Sequence, residues 1–154
     1  MPAAKVKSYL DSRGIKYLSI RHSPAFTAPE IAESVHVSGR DFAKTVIVVT
    51  EDEMAMVVLP ASRRVVLSDL REMLGTYHVR LASEAEFRDS FPDCDIGAMP
   101  PLGNLYGMKV YLSGYLADER EIAFNAGSHT EVIKLSYADF ERLVQPEVLD
   151  FVTT

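Results

Sequence analysis

Two strand-sized apolar runs constrain the fold of this chain more than any other feature. Ala43–Thr50 and Met54–Pro60 consist almost entirely of β-branched and other apolar residues, and Glu51-Asp52-Glu53 separates them. Runs of this length around a polar break read as a β-hairpin. Neither run approaches the roughly 20 residues that a helix needs to cross a bilayer.

Helix and strand signals cluster around this hairpin. Ala3–Ser12 carries Val6, Tyr9 and Leu10 at helical spacing, with Gly14 as a stop. Tyr17–Arg21 alternates like a strand. Thr27 and Glu30 form a capping box, with Pro29 in the first turn, for a helix running to about Val35. A short strand is expected at Val65–Leu67, followed by a helix over Asp69–Leu74 capped by Ser68 and ended by Gly75. Val79–Leu81 reads as a strand, and Ser83 caps a helix over Glu84–Phe91 that Pro92 stops. Met108–Tyr115, Glu121–Asn125 and Val132–Leu135 read as strands, and Ser136–Val144 as a last helix ending near Pro146. Clustered strands with helices between them predict an α/β chain of the α+β type, with a mixed sheet rather than a strict βαβ repeat. No internal repeat and no Gly/Ser linker interrupts the chain. Residues 1–154 are therefore expected to form one domain.

Charge bounds the class of partner. Sixteen Lys+Arg against 22 Asp+Glu give a net charge of −6. That disfavours a protein that coats nucleic acid but leaves room for one that receives a single end. Residues 1–50 are net basic and the remainder is strongly acidic. Any anion-binding surface is thus expected from Lys5, Lys7, Arg13, Lys16, Arg21, Arg40 and Lys44. The single cysteine, Cys94, excludes an internal disulfide framework and a cysteine-rich zinc site, and fits a reducing cytoplasm. Met1-Pro2-Ala3-Ala4-Lys5 is not followed by an apolar h-region, so no secretory signal is read there and no membrane partner is expected.

Three segments could carry chemistry. The long Asp93–Gly107 loop holds Gly97, Gly103 and Gly107, which let backbone amides approach a ligand, and Pro100-Pro101, which stiffens it. A rigid connection between helix and sheet is the alternative reading. Lys44 enters an apolar strand, where it must either snorkel to the edge or face a cavity and hold an anionic or carbonyl oxygen. Asn125-Ala126-Gly127-Ser128-His129 is a polar turn after a strand. His22, His36, His78 and His129 show no metal-ligand spacing, and no Rossmann, Walker or G-x-S-x-G sequence is present, so neither metal nor cofactor is expected. Cys94 lies between Asp93 and Asp95, which should raise its thiol pKa and make it a poor nucleophile.

Taken in order, Phe42-Ala43-Lys44-Thr45-Val46, Gly97-Ala98-Met99-Pro100-Pro101-Leu102-Gly103, Glu121 through His129, and Leu135-Ser136 with Asp139-Phe140 resemble the YbaK/prolyl-tRNA synthetase-associated domain family. The resemblance spans nearly the whole chain, including His22-Ser23-Pro24. It implies a mixed, barrel-like sheet surrounded by helices, and a freestanding deacylase that hydrolyses the ester of mischarged aminoacyl-tRNA. Lys44 matches the family's important lysine, Gly97–Pro101 its Gly-x-x-x-Pro loop, and His129 its histidine after the glycine turn. Some members carry Asn where this chain has Thr45. The implied partner is the tRNA acceptor end with its 3′-aminoacyl adenosine, with an aminoacyl-tRNA synthetase as a possible second. The implied roles give Lys44 the aminoacyl or terminal-phosphate oxygens and the Gly97 and Ala98 amides the developing oxyanion. Thr45, Met99, Pro100 and Pro101 would line the substrate pocket, and Gly127 and His129 would place the terminal nucleotide or a water.

Overall fold

In the computed structural model, which describes residues 2–21, 41–151 and 153–154, the chain opens with helix α1 (Pro2–Ser12) and strand β1 (Tyr17–Arg21). The expected hairpin follows as β2 (Phe42–Thr50) and β3 (Glu53–Pro60). Then come α2 (Leu67–Leu74), β4 (Val79–Leu81), α3 (Glu84–Phe87), β5 (Lys109–Ser113), α4 (Gly114–Ala117), β6 (Glu121–Asn125), β7 (Glu131–Ser136), α5 (Tyr137–Val144) and β8 (Glu147–Leu149). The helix expected from Thr27 to Val35 lies outside the described residues, as do His22, His36 and Arg40.

The strands form one mixed sheet in the order β1-β7-β6-β2-β3-β5-β8, with β4 paired to β2. No β1–β8 ladder closes it among the described residues. The β2–β3 register pairs Ala43 with Pro60 and Thr50 with Glu53. Glu51 and Asp52 make the turn at φ 50° and 65°, since a tight hairpin turn needs positive φ at its central residues. β3 sits between β2 and parallel partner β5, which explains its unbroken apolar run. Its Met56 and Val58 enter the main core with Leu10, Phe124 and Phe140, while Ala55, Val57 and Leu59 enter a second core with Leu70 and Phe151. Burying each such large side chain contributes about 1.5–3 kcal/mol.

Several boundaries differ from the expectations. Val65 makes only an isolated bridge to Thr153, and Leu67 starts the helix instead of extending a strand. Leu67 packs against the second core, so the helix begins early; its N-cap is Val66, and Ser68 does not cap it. Ser83 does cap α3, in a full capping box with Glu86, but the α-helix tightens to a 3-10 turn over Arg88–Ser90. The strand expected over Met108–Tyr115 stops at Ser113, whose hydroxyl accepts from the Tyr115 amide and starts α4. Pro146 ends α5 as expected, yet the chain then adds β8, parallel to β5.

One buried carboxylate ties α1, β1 and β7 together. Glu131 is paired with Lys7 and accepts a 2.5 Å hydrogen bond from Ser19, and Arg21 lies 3.8 Å away. Burial pushes its carboxyl pKa up, but Lys7, Ser19 and Arg21 together outweigh burial and hold it below the usual 4.5. A lowered carboxylate contributes stability that is present above its unfolded pKa and lost as pH falls through the folded value. The melting temperature should therefore fall as pH drops below about 4.5, and Glu131→Gln should flatten part of that decline. Identical pH profiles for the two proteins would contradict this.

Candidate active site

The site is set by a break in the sheet. One edge of β2 is paired with β3 along its length. On the other edge, parallel β6 pairs only at Phe42–Ala123 and Ala43–Phe124, and β4 pairs only from Val48 to Thr50. Ala82 covers the Ile47 carbonyl. Among the described residues, Lys44, Thr45 and Val46 thus lie on an edge with no strand partner, just beyond the C-terminal end of β6. Such gaps at strand C-termini are where open α/β sheets hold ligands.

Strand alternation sorts the side chains. Lys44 shares a face with Val46 and Val48, and Thr45 with Ala43 and Ile47 of the main core. Lys44 and Thr45 therefore cannot line the same wall. Thr45 Oγ1 is buried without a hydrogen-bond partner among the described residues. Continuing the β2–β6 register by one residue sets Asn125 beside Lys44, on the same face. Asn125 is only 6% exposed, and its Oδ1 has no hydrogen-bond partner among the described residues. A buried amide oxygen without a donor calls for explanation, and a ligand is one. Asn125 belongs to a segment that the sequence singles out, but the sequence assigns it no role of its own. Its signal was a polar side chain closing an otherwise apolar strand just before a glycine turn.

Lys44 is half-buried. Burial pushes its ammonium pKa below the ordinary 10.5, and the Arg64 charge adds to the shift. Among the described residues, no carboxylate forms an ion pair with it.

The Gly97 loop and the Gly127 turn form one piece. The Asp95 amide donates to the Gly127 carbonyl at 2.8 Å, and the Gly127 amide donates to the Ala98 carbonyl at 3.0 Å. Gly97 and Gly127 adopt φ of 86° and 95°, where side chains are strained. His129 locks the loop from the other side. Its backbone amide donates to Asp95 Oδ2 at 3.3 Å, and Nε2 stands 2.9 Å from the Ile96 carbonyl. A carbonyl only accepts, so Nε2 carries the proton. The visible role of His129 is thus to hold the loop.

The two loop amides are not equivalent. The Ala98 N–H is engaged with the Asp95 carbonyl at 3.0 Å, whereas the exposed Gly97 N–H has no partner among the described residues. Met99 is buried in the main core, and Pro100 and Pro101 are buried behind it. The Cys94 thiol is held up, as expected, but chiefly by burial rather than by Asp93 and Asp95; Tyr106 and Lys5 oppose the shift. Among the described residues, no three His, Cys, Asp or Glu side chains gather as metal ligands, and no helix is long and apolar enough to cross a membrane.

Residues 22–143 match the aminoacyl-tRNA editing domain family. The chain belongs to that family. The match includes β2, the Gly97 loop and the Gly127 turn, so the broken edge and the docked loop lie within the matched region. Over 104 residues the chain is 34% identical to the multifunctional Ser/Thr-tRNA deacylase ProXp-y of Escherichia coli K12. That alignment covers 67% of this chain and 62% of the relative, so the chain spans less than two-thirds of the relative's length. Two solved structures share the fold. The crystal structure of hypothetical protein APE2540 superposes with a TM-score of 0.85 at 22% identity, covering 97% of this chain and 99% of that one. A candidate trans-editing enzyme for prolyl tRNA synthetase gives 0.82 at 23%, covering 97% and 96%.

Proposed function

We propose that this chain hydrolyses the ester bond of tRNA mischarged with a small amino acid (Ala, Ser, Thr or Cys), acting in trans in the cytoplasm. The observation that carries this reading is the gap beyond β6. Among the described residues, a half-buried lysine without a counter-ion stands there beside a buried amide oxygen without a donor. A loop whose Gly97 N–H has no partner among the same residues is fastened to the Gly127 turn. Family membership and the likeness to a Ser/Thr-tRNA deacylase support the assignment of substrate class.

The residues divide the work. Lys44 presents positive charge between the ester oxygens and the terminal phosphate, its three N–H donors serving both sides. The Gly97 N–H is aimed at the carbonyl oxygen, whose negative charge grows as water attacks. Asn125 Oδ1 is an acceptor, so it suits the α-ammonium, a side-chain hydroxyl or a ribose hydroxyl of the substrate. Thr45, Met99, Pro100 and Pro101 support the loop and the strand from the core side and keep the pocket small. Gly127 and His129 hold the loop in place. No described carboxylate or thiol is placed as a general base, and the reaction can draw on the substrate's own vicinal hydroxyl to order the water. A small pocket answers a known difficulty: a synthetase site that admits a larger amino acid rejects one a methylene smaller by only about 1–3 kcal/mol.

The assay is ester loss from a panel of mischarged tRNAs, with retention on filters measured in parallel. Hydrolysis of the small amino acids, and sparing of large ones, is the expected result. Retention without hydrolysis would make the chain a binding module acting with a synthetase and would contradict the proposal.

A further inference from the structure

The turn that follows β3 brings a second cation to Lys44. Pro60 pairs with Ala43, the Ala61 amide donates to the Phe42 carbonyl at 2.7 Å, and the Arg63 amide closes the turn onto the Pro60 carbonyl at 3.0 Å. The chain therefore doubles back beside the start of β2. Arg64 is then fixed from the far side, because its N–H and C=O exchange bonds with Thr154 at 2.8 and 3.0 Å. The backbone of Arg64 is held while its side chain is exposed. No carboxylate among the described residues pairs with it, although most of the other described arginines are paired or stacked on a ring. Its charge reaches Lys44 and makes that ammonium harder to keep. The turn returns Arg64 to the start of β2, within electrostatic reach of Lys44, and no carboxylate among the described residues neutralises either cation, so the two repel unless an anion joins them.

We infer that Arg64 and Lys44 together form a seat for the phosphodiester on the 5′ side of the substrate's terminal adenosine, with Arg64 supplying the planar fork. This rests on the reading of the site as one for aminoacyl-tRNA, and it adds a binding residue from outside the basic first third of the chain. Guanidinium suits the role because it meets two phosphate oxygens at once. A phosphate there offsets the Lys44–Arg64 repulsion and holds the nucleotide so that its 3′ ester lies toward the gap.

The test uses a non-hydrolysable probe, 3′-seryl-amido-3′-deoxyadenosine, with and without a 5′-phosphate. Binding of both forms is titrated to the wild type and to Arg64→Gln and Arg64→Lys. The wild type should prefer the phosphorylated form by about tenfold, the scale of one charged hydrogen-bonded contact. Arg64→Gln should lose most of that preference while binding the unphosphorylated form as before, and Arg64→Lys should keep part of it. A merely structural role for Arg64 would weaken both forms equally. Equal binding of the two forms by the wild type, or an undiminished preference in Arg64→Gln, would overturn the inference. Ester hydrolysis is scored separately, so a phosphate preference without turnover would count against the deacylase reading and leave the seat intact.

Discussion

Lys44→Ala should lose deacylation by at least about 100-fold, the scale seen when one charge-stabilising group is removed from a transition state. The fold should not suffer. Lys44 is paired only on the β3 side of β2, and no carboxylate depends on it among the described residues. Its burial and the nearby Arg64 both work against the charged form, so the folded state carries a charge it holds at some cost. The alanine variant should therefore melt at or slightly above the wild-type temperature. Single-turnover ester loss and a thermal melt on the same preparation check both halves. Near-wild-type turnover would remove Lys44 from the mechanism, and a collapsed melt would make it a structural residue.

The second large effect is expected at Gly103, far less conspicuous in the sequence than Gly97. A Cβ there would lie 2.3 Å from the Met108 carbonyl oxygen and 2.6 Å from Val110 Cγ2. The Met108 amide already donates to the Gly103 carbonyl at 2.9 Å, so the end of the loop is fastened to the entrance of β5. The clash is with backbone on one side and with a core valine on the other, so neither side yields easily. Gly103→Ala should cost about 1–3 kcal/mol or somewhat more. At about 2–4 °C per kcal/mol for a chain of this size, the melting temperature should drop by about 3–10 °C. Gly107→Ala is the control. Gly107, unlike Gly103, has positive φ, but nothing lies within 4 Å of its added Cβ, so only dihedral strain of about 1 kcal/mol applies. Equal melting temperatures for the two variants would contradict the packing argument.

The parts of this site that could be read from the sequence follow from local rules. An apolar run interrupted by acidic residues gives the hairpin, and a lysine within such a run has few places to go. Ser83 with Glu86 is a capping box in sequence and in structure. Even the separation of Lys44 from Thr45 follows from the two-residue period of a strand. The remainder depends on long-range register. Nothing local indicates that β6 pairs with β2 for two residues and then stops, yet that stop creates the gap and sets Asn125 beside Lys44. The basic first third of the chain pointed toward Lys44 but away from Arg64, which lies in the acidic remainder and is brought back by the Pro60–Arg63 turn. The family resemblance implies equal roles for Gly97 and Ala98. Only the fold shows that Asp95 takes the Ala98 amide and leaves that of Gly97.

The central claim is that one aminoacyl-adenosine site occupies the break between β6 and β4 on the edge of β2. Backbone amide shifts during titration with the unphosphorylated seryl-amido-adenosine probe test it most directly. The account predicts the largest changes at Lys44, Gly97, Asn125 and Gly127. Changes centred instead on the separate cavity of about 310 Å³ lined by Ser113, Asp118, Asp150 and Thr153, with Lys44 and Gly97 unmoved, would contradict it.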